Sequence, residues 1–311
     1  MGGYHRGEAA VQKRAGFARQ AGQARGAIGN TVPDVAVAFL ADQPHVVLGA
    51  ADERGRIWAT QLTGEPGFLT VPGPHTLRIG VLPPPEDPLA GVLAGAGSGF
   101  GAGPLPVGMI GIEPATRRRM RMNGRAVRDG DGLRVELDQV ISNCPKYIQK
   151  RDHHPAPGGG PPASRTAVDS TELSPAQQRT LRAADTFFVA TASDRGDADA
   201  SHRGGNPGFV QVLSPRLLRW PDYAGNAMFL TLGNLELNPA AGLFVPGWET
   251  GTSLHLTGSA RTVWDEEEVA RTPGAQRLVE FEITAVREVA SASPLRWSAP
   301  AYSRFNPPTS G

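Results

Sequence analysis

At 311 residues the chain has the length of two ordinary domains, and a formal charge of +1 at pH 7 leaves no global field to draw in nucleic acid or an anionic membrane. No apolar run approaches the roughly 20 residues that span a bilayer, and the single cysteine, Cys144, excludes an internal disulfide and fits a reducing cytoplasm. The 39 glycines and 28 prolines favour a β-rich chain with many turns over a helical bundle.

Residues 1–34 read as an N-terminal helical arm. Their Arg, Gly and Ala content, with Glu8 the only acid up to residue 30, is also that of an organellar transit peptide. Val11, Ala15 and Ala18 recur at helical spacing, however, and predict a helix over Glu8–Gln20. Val35, Val37, Phe39 and Leu40 predict a short helix, followed by a strand at His45–Ala50. Gly55 marks a turn and Ile57–Leu62 returns as a strand. Residues 83–104 are a Pro/Gly/Ala insertion, a loop around a small helix. Strands follow at Val107–Ile112 and Arg117–Asn123, joined by the turn Glu113-Pro114-Ala115-Thr116, and then at Leu133–Val140. Residues 35–151 thus form a first unit. Residues 152–171 read as a Pro/Gly linker too poor in apolar side chains to pack, and therefore mobile. A second unit, 172–311, opens on a helix with Ser174 as cap, Pro175 in its first position and Gln177 completing a capping box. Its strands are expected at Phe187–Ala192, Gly208–Leu213, Met228–Thr231, Gly242–Val245, Ser253–Ala260 and Leu278–Val286. Short strands, many turns and few helices indicate a mainly β fold of two small barrels.

The two units repeat one another. Ala51-Asp52-Glu53-Arg54-Gly55 through Gly67-Phe68-Leu69-Thr70-Val71 recurs 141 positions later as Ala192-Ser193-Asp194-Arg195-Gly196 through Gly208-Phe209-Val210-Gln211-Val212. Gly108-Met109-Ile110 and Met120 through Ala126 recur 134 positions later as Gly242-Leu243-Phe244 and Leu254 through Ala260. Two copies of one unit in one chain point to a covalent version of a symmetric dimer, with a ligand at the seam.

The copies differ where chemistry is expected. In the second, Arg203 is a fixed cation with a donor fork suited to phosphate. Ser201 and His202 add donors, and Gly204, Gly205 and Gly208 leave backbone bare for a planar ring. The plain alternative is a Gly-rich hairpin with a surface arginine. Asn226, Thr231 and Asn234 are short polar groups placed around one strand end, of the type that surrounds a phosphate or ribityl chain; ordinary turn chemistry is the alternative. The first copy has Leu62-Thr63-Gly64 in place of Arg203-Gly204-Gly205 and the Pro/Gly/Ala insertion in place of the Asn226–Asn234 stretch, so one site per chain is expected. In return it carries Arg117, Arg119 and Arg121 alternating with Arg118, Met120 and Met122. Alternate residues on a strand share a face. Met120 and Met122 match Leu254 and Leu256 and should face the interior; Arg119 and Arg121 match Ser253 and His255 and should face the seam, or else solvent. Nucleic-acid binding through this run does not fit a chain that is not basic overall. Cys144, Lys146 and Tyr147 follow in a compact polar segment able to reach across the seam. His153-His154 has no further ligands at metal-site spacing, and no metal site is expected. Gly-x-Ser-x-Gly, Walker and Rossmann signatures are missing, and no catalytic acid or base can be named.

Together, Ser201–Val212, Pro221–Asn226, Thr231–Asn234, Asn238–Phe244 and Leu256-Thr257-Gly258 resemble the pyridoxamine 5′-phosphate oxidase-related flavin-nucleotide-binding split barrels. Gly55, Gly67-Phe68, Thr116–Arg119, Asn123-Gly124 and the residues 143–148 resemble the degenerate half of long, tandem members. The resemblance implies two tandem split barrels forming a pseudo-dimer, with FMN at their seam. It implies that Ser201, Arg203, Asn226, Thr231 and Asn234 hold the phosphate and ribityl chain. Gly205, Asn206, Gly208, Phe209 and Val210 would line the isoalloxazine beside His202 and Gly204, with Arg119 and Lys146 approaching from the first barrel. It further implies an FMN-dependent oxidoreductase acting on a small molecule, with NAD(P)H or O2 as redox partner and with no nucleic-acid or membrane partner. Further oligomerisation is left open. A non-catalytic flavin-binding or stress protein, or a deazaflavin- or haem-binding relative, are the alternatives. Pro294-Leu295-Arg296-Trp297 resembles the aromatic–basic ending of oxidase members, but no Arg-x-His arm for pyridoxal phosphate is present, which argues against vitamin B6 as substrate.

Overall fold

The structure, a computed structural model, describes residues 3–97, 103–142, 144–156 and 164–309. Parts of the expected insertion (98–102) and linker (157–163), and residue 143, lie outside the described residues. Helices α1 (Arg6–Arg14) and α2 (Ala18–Ala24) open the chain, so the single helix expected over Glu8–Gln20 is broken in two, at Gly16 with its positive φ of 75°. The first unit then runs β1 (Ile28–Gly29), α3 (Asp34–Ala41), β2 (His45–Ala51), β3 (Ile57–Thr63), β4 (Leu69–Gly73), β5 (Thr76–Ile79), α4 (Ala90–Ala94), β6 (Leu105–Glu113), β7 (Arg118–Asp129) and β8 (Gly132–Ser142). Next come β9 (His153–Pro155) and β10 (Thr166–Ser170). The second unit continues with α5 (Pro175–Ala183), β11 (Thr186–Ala192), β12 (Ala198–Gly204), β13 (Gln211–Ser214), β14 (Leu217–Asp222), α6 (Leu230–Leu237), β15 (Ala240–Pro246), β16 (Ser253–Val263), α7 (Glu266–Ala270), β17 (Arg277–Ala290) and β18 (Leu295–Trp297). Among the described residues, no helix is long and apolar enough to cross a membrane.

The fold is mainly β, built on two eight-stranded sheets with the same connectivity. One has the order β3-β2-β6-β7-β8-β5-β4 with β1 against β8; the other has β12-β11-β15-β16-β17-β14-β13 with β10 against β17. Registers repeat as well. Met109 pairs with Met122 as Leu243 pairs with Leu256, and the bulge between Asn123 and Gly124 recurs between Thr257 and Gly258. Each sheet is an open strand order whose edge strands do not pair with each other, the split form of a barrel. Each unit fills its own apolar core. Leu48, Leu77, Met109 and Met122 are fully buried in the first, and Phe187, Trp220, Leu256 and Phe281 in the second.

A third apolar cluster joins the units. Val47, Ile110, Phe188 and Phe244 pack there with Ile57, Ala59 and Ala200. Val47 and Phe188 are one repeat apart, as are Ile110 and Phe244, so the same patch on each copy meets the other, as in an isologous dimer interface. Glycine makes the approach close. A Cβ on Gly108 would lie 2.4 Å from the backbone of Asp199, and one on its counterpart Gly242 would lie 2.5 Å from the carbonyl oxygen of Ile57.

Two further expectations fail. The chain at Met228–Thr231 is a turn leading into α6, because Ala227 and Phe229 take left-handed backbone (φ 61° and 60°) and end any strand. The described ends of the linker are also paired: β9 lies against β18 and β10 against β17. Main-chain pairing rather than apolar burial holds these segments, and Val168 on β10 stays exposed. By contrast, the capping box at Ser174 and Gln177 starts α5 as read.

Candidate functional site

A cleft of about 190 Å³ opens at the seam, where β7 and residues 144–147 of the first unit face β12, residues 221–227 and the start of α6 of the second. This is less than the roughly 300–1,000 Å³ of common ligand pockets. Strand alternation sets one wall. Met120 and Met122 enter the first core, while Arg119, Arg121 and Asn123 point across the seam. Arg119 donates from Nη1 to Nδ1 of His202 at 3.0 Å. Arg121 reaches both carboxylate oxygens of Asp199, at 3.4 and 3.5 Å.

Asp199 is the hub of the floor. It also accepts from Asn123 at 3.4 Å, from Ser201 at 3.0 Å and from Thr231 at 3.3 Å, and Ser201 and Thr231 lie 2.8 Å apart. One carboxylate thereby ties β7, β12 and α6 together. It is spent in doing so, and Asp222 is likewise paired with Arg277 at 2.9 Å.

The cations exceed the anions. Among the described residues the Arg203 side chain makes one hydrogen bond, to the carbonyl oxygen of His202 at 3.2 Å. Nε of Arg119, of Arg121 and of Arg203 is buried with no hydrogen-bond partner among the described residues. Burial, reinforced by Arg121 and Arg203, lowers Arg119 to about 9, and burial lowers Arg203 as well. Buried cations without counter-charge are costly, and an anion in the cleft would relieve that cost. The start of α6 adds to the demand. Leu230, Thr231 and Leu232 line the cleft, Phe229 caps the helix without a side-chain hydrogen bond, and the first N–H groups of a helix have no intrahelical partner. Such an end attracts anions.

Aromatic side chains form the mouth. The rings of Tyr147 and Tyr223 lie 5.1 Å apart at 35°. Tyr147 has a positive φ of 65° and donates its hydroxyl to the carbonyl oxygen of Ala224 at 3.1 Å. Burial, then the neighbouring Tyr147, pushes Tyr223 up to about 12. Gly204 is required beneath this arm, because a Cβ there would lie 2.0 Å from the carbonyl oxygen of Tyr147.

Of the residues singled out from sequence, Arg119, Lys146, His202, Arg203, Gly204, Phe209, Asn226 and Thr231 line the cleft. Ser201 lies beneath it, bonded to Asp199 and Thr231. Asn234 is turned away, donating to Thr191 at 3.0 Å and bonded to His5 at 3.0 Å. Asn206 holds the C-terminal segment through Pro307 and Asn306. Gly205 packs beside the Phe209 ring, Gly208 forms the turn with φ 91°, and Val210 is core. Arg121, Cys144 and Tyr147, read from the sequence as seam residues, line the cleft too, and the structure adds Tyr223, Arg277 and Phe17. Arg121 shares the alternation of Arg119, and Tyr147 adjoins Lys146. Nothing local in the sequence signals Arg277 or Phe17.

At the pseudo-symmetric position the insertion fills the seam. Asp87 is bonded to Thr60, the counterpart of Ser201, and accepts the N–H of Leu89 at 2.8 Å. Ser253 and His255 stand in place of Arg119 and Arg121, and only about 20 Å³ remains between these groups. Leu62 replaces Arg203.

Comparison with known proteins agrees with the second unit. Residues 173–293 match the family described as pyridoxamine 5′-phosphate oxidase. No curated protein matches the sequence. Among solved structures the chain is similar to an FAD-binding protein of Mycobacterium smegmatis, with 18% identity over 39% of this chain and 98% of that one and a TM-score of 0.28. It is also similar to an FMN-binding protein of Syntrophomonas wolfei, with 9% identity over 36% and 82% and a TM-score of 0.29. A third is HupZ from Group A Streptococcus, with 11% identity over 36% and 90% and a TM-score of 0.30.

Proposed function

We propose, from the match of residues 173–293 to the family described as pyridoxamine 5′-phosphate oxidase, that the seam cleft binds FMN and that the protein is a flavin-dependent oxidoreductase acting on a small molecule. The observation that carries this reading is the surplus of buried arginine in the cleft. Among the described residues the Nε atoms of Arg119, Arg121 and Arg203 lack partners, beside a helix start with no side-chain cap hydrogen bond. Arg203, Arg119 and the first N–H groups of α6 would take the phosphate. Tyr147, Tyr223 and Phe229 offer flat apolar surface to a ring system. Bound there, the flavin would supply reversible electron or hydride transfer. The chain's own part is to orient the ligand between the units, to present donors rather than acceptors, and to shield it with the 144–147 arm.

The donor set supports a phosphorylated flavin over an uncharged one, and this is testable with two ligands. A charge-assisted contact is worth about 1.5–3 kcal/mol, or roughly tenfold and upwards in affinity. Arg203→Ala should therefore weaken FMN at least tenfold while changing riboflavin little. Equal losses for both ligands would place Arg203 away from the phosphate, and no binding of FMN by the unaltered chain would overturn the cofactor reading. Steady-state oxidation of reduced flavin by small acceptors then separates an oxidoreductase from a flavin carrier.

A further inference from the structure

His202 stands on β12 with its ring enclosed on several sides. Phe188 meets it edge to face, with ring centroids 5.6 Å apart at 73°. A Cβ on Gly204 would lie 2.9 Å from its Cε1, so only glycine leaves the ring its place. The side chain is 4% exposed. Its Nδ1 meets Nη1 of Arg119, from the other unit, at 3.0 Å.

That contact has one reading. A guanidinium has five N–H donors and no acceptor, so Nδ1 of His202 must offer its lone pair. The ring proton of the neutral imidazole then sits on Nε2. We propose that Arg119 is a positioning residue that holds His202 as the neutral Nε2–H tautomer, so that His202 serves the cleft as a fixed hydrogen-bond donor. Among the described residues Nε2 has no hydrogen-bond partner, and the ring lines the cleft. The ligand atom it would meet is therefore an acceptor, such as a phosphate or ring-carbonyl oxygen; that part rests on the flavin reading above.

The surroundings agree. Arg119 and Arg121 of β7 and Arg203 of β12 all disfavour an imidazolium, and burial, the largest cause, pushes His202 well below its ordinary value. The nearby carboxylate, Asp199, is already engaged by Arg121, Asn123, Ser201 and Thr231. Nothing in the cleft favours a second ring proton. The first unit thus acts on the second by deciding which nitrogen carries hydrogen, a role that Ser253 and His255 cannot play at the pseudo-symmetric position.

The test is long-range nitrogen–proton correlation NMR on the full chain labelled in its histidines, without added flavin, with His202 assigned by comparison with His202→Gln. The expected spectrum shows one neutral His202 protonated on Nε2, unchanged between pH 5.5 and 8. In Arg119→Met the single tautomer should be lost and the two nitrogens should share the proton. A His202 protonated on Nδ1, or doubly protonated in that range, overturns the proposal, as does a single unchanged Nε2–H tautomer in folded Arg119→Met. If that variant does not fold, the unaltered chain's spectrum still decides between the tautomers. Because the measurement needs no flavin, its outcome and that of the FMN titration fail independently.

Discussion

Glu8 shows how a single side chain is tuned by the close packing that shapes this molecule. It lies in α1 where that helix crosses α6. A Cβ on Gly233 would lie 2.6 Å from the Glu8 Cα, so the carboxyl is buried, at 3% exposure. Burial raises it from 4.5 to about 7, against the N–H of His5, which it accepts at 2.7 Å. The raised value means that the folded state holds this proton when the unfolded state has lost it. Its contribution to stability is therefore complete below about pH 4.5 and is lost as pH rises through about 7. At about 1.4 kcal/mol per tenfold change in proton affinity, the whole effect is roughly 3 kcal/mol. Glu8→Gln keeps an acceptor for His5 and removes the ionisation. Urea unfolding should then show the variant gaining on the unaltered chain by a few kcal/mol between pH 5 and pH 8; a constant difference across that range would contradict the assignment.

At the scale of elements, the seam depends on backbone-to-backbone approach. Gly108 on β6 faces Asp199 on β12, and a methyl group at 108 has no room against the backbone atoms 2.4 Å away. Backbone must shift, and overpacking of this kind costs about 1–3 kcal/mol. Gly108→Ala should lower the unfolding free energy by that amount and the urea midpoint with it, whereas Gly55→Ala, at an open turn with φ 75° and nothing within 4 Å, tests backbone strain alone. An unchanged midpoint in Gly108→Ala would mean the units do not meet as described. Strands such as Val107–Ile112 and Ser253–Ala260 were legible because apolar alternation and turn residues agree with the pairing they enter. The α6 start was not. Phe229 and Ala227 adopt left-handed backbone without the glycine or asparagine that usually announces it, so tertiary packing overrode the local β pattern of Met228–Thr231. In the site, Arg119 and Arg121 were legible because comparing the copies isolates the face that differs. Arg277 and Phe17 reach the cleft from distant parts of the chain, and no local pattern carries that. Asn234 was a misleading signal, since its side chain turns to Thr191 and His5 rather than to the cleft.

At the scale of the molecule, symmetry brings the units together and asymmetry leaves one site. The apolar patch, the glycine approaches and the strand order are shared, and a symmetric dimer would carry two equivalent clefts. Here the insertion brings Asp87 onto Thr60 at one of them, and Leu62, Ser253 and His255 replace the cations. At the other, Arg119 and Arg121 from one unit meet His202 and Arg203 from its neighbour. The proposed flavin reading therefore allows a single FMN site per chain, at that cleft, and calorimetric titration of the full chain with FMN measures the stoichiometry. Saturation is expected at one FMN per chain, with riboflavin bound at least tenfold more weakly; two FMN per chain, or no saturable binding, would overturn the single-site reading.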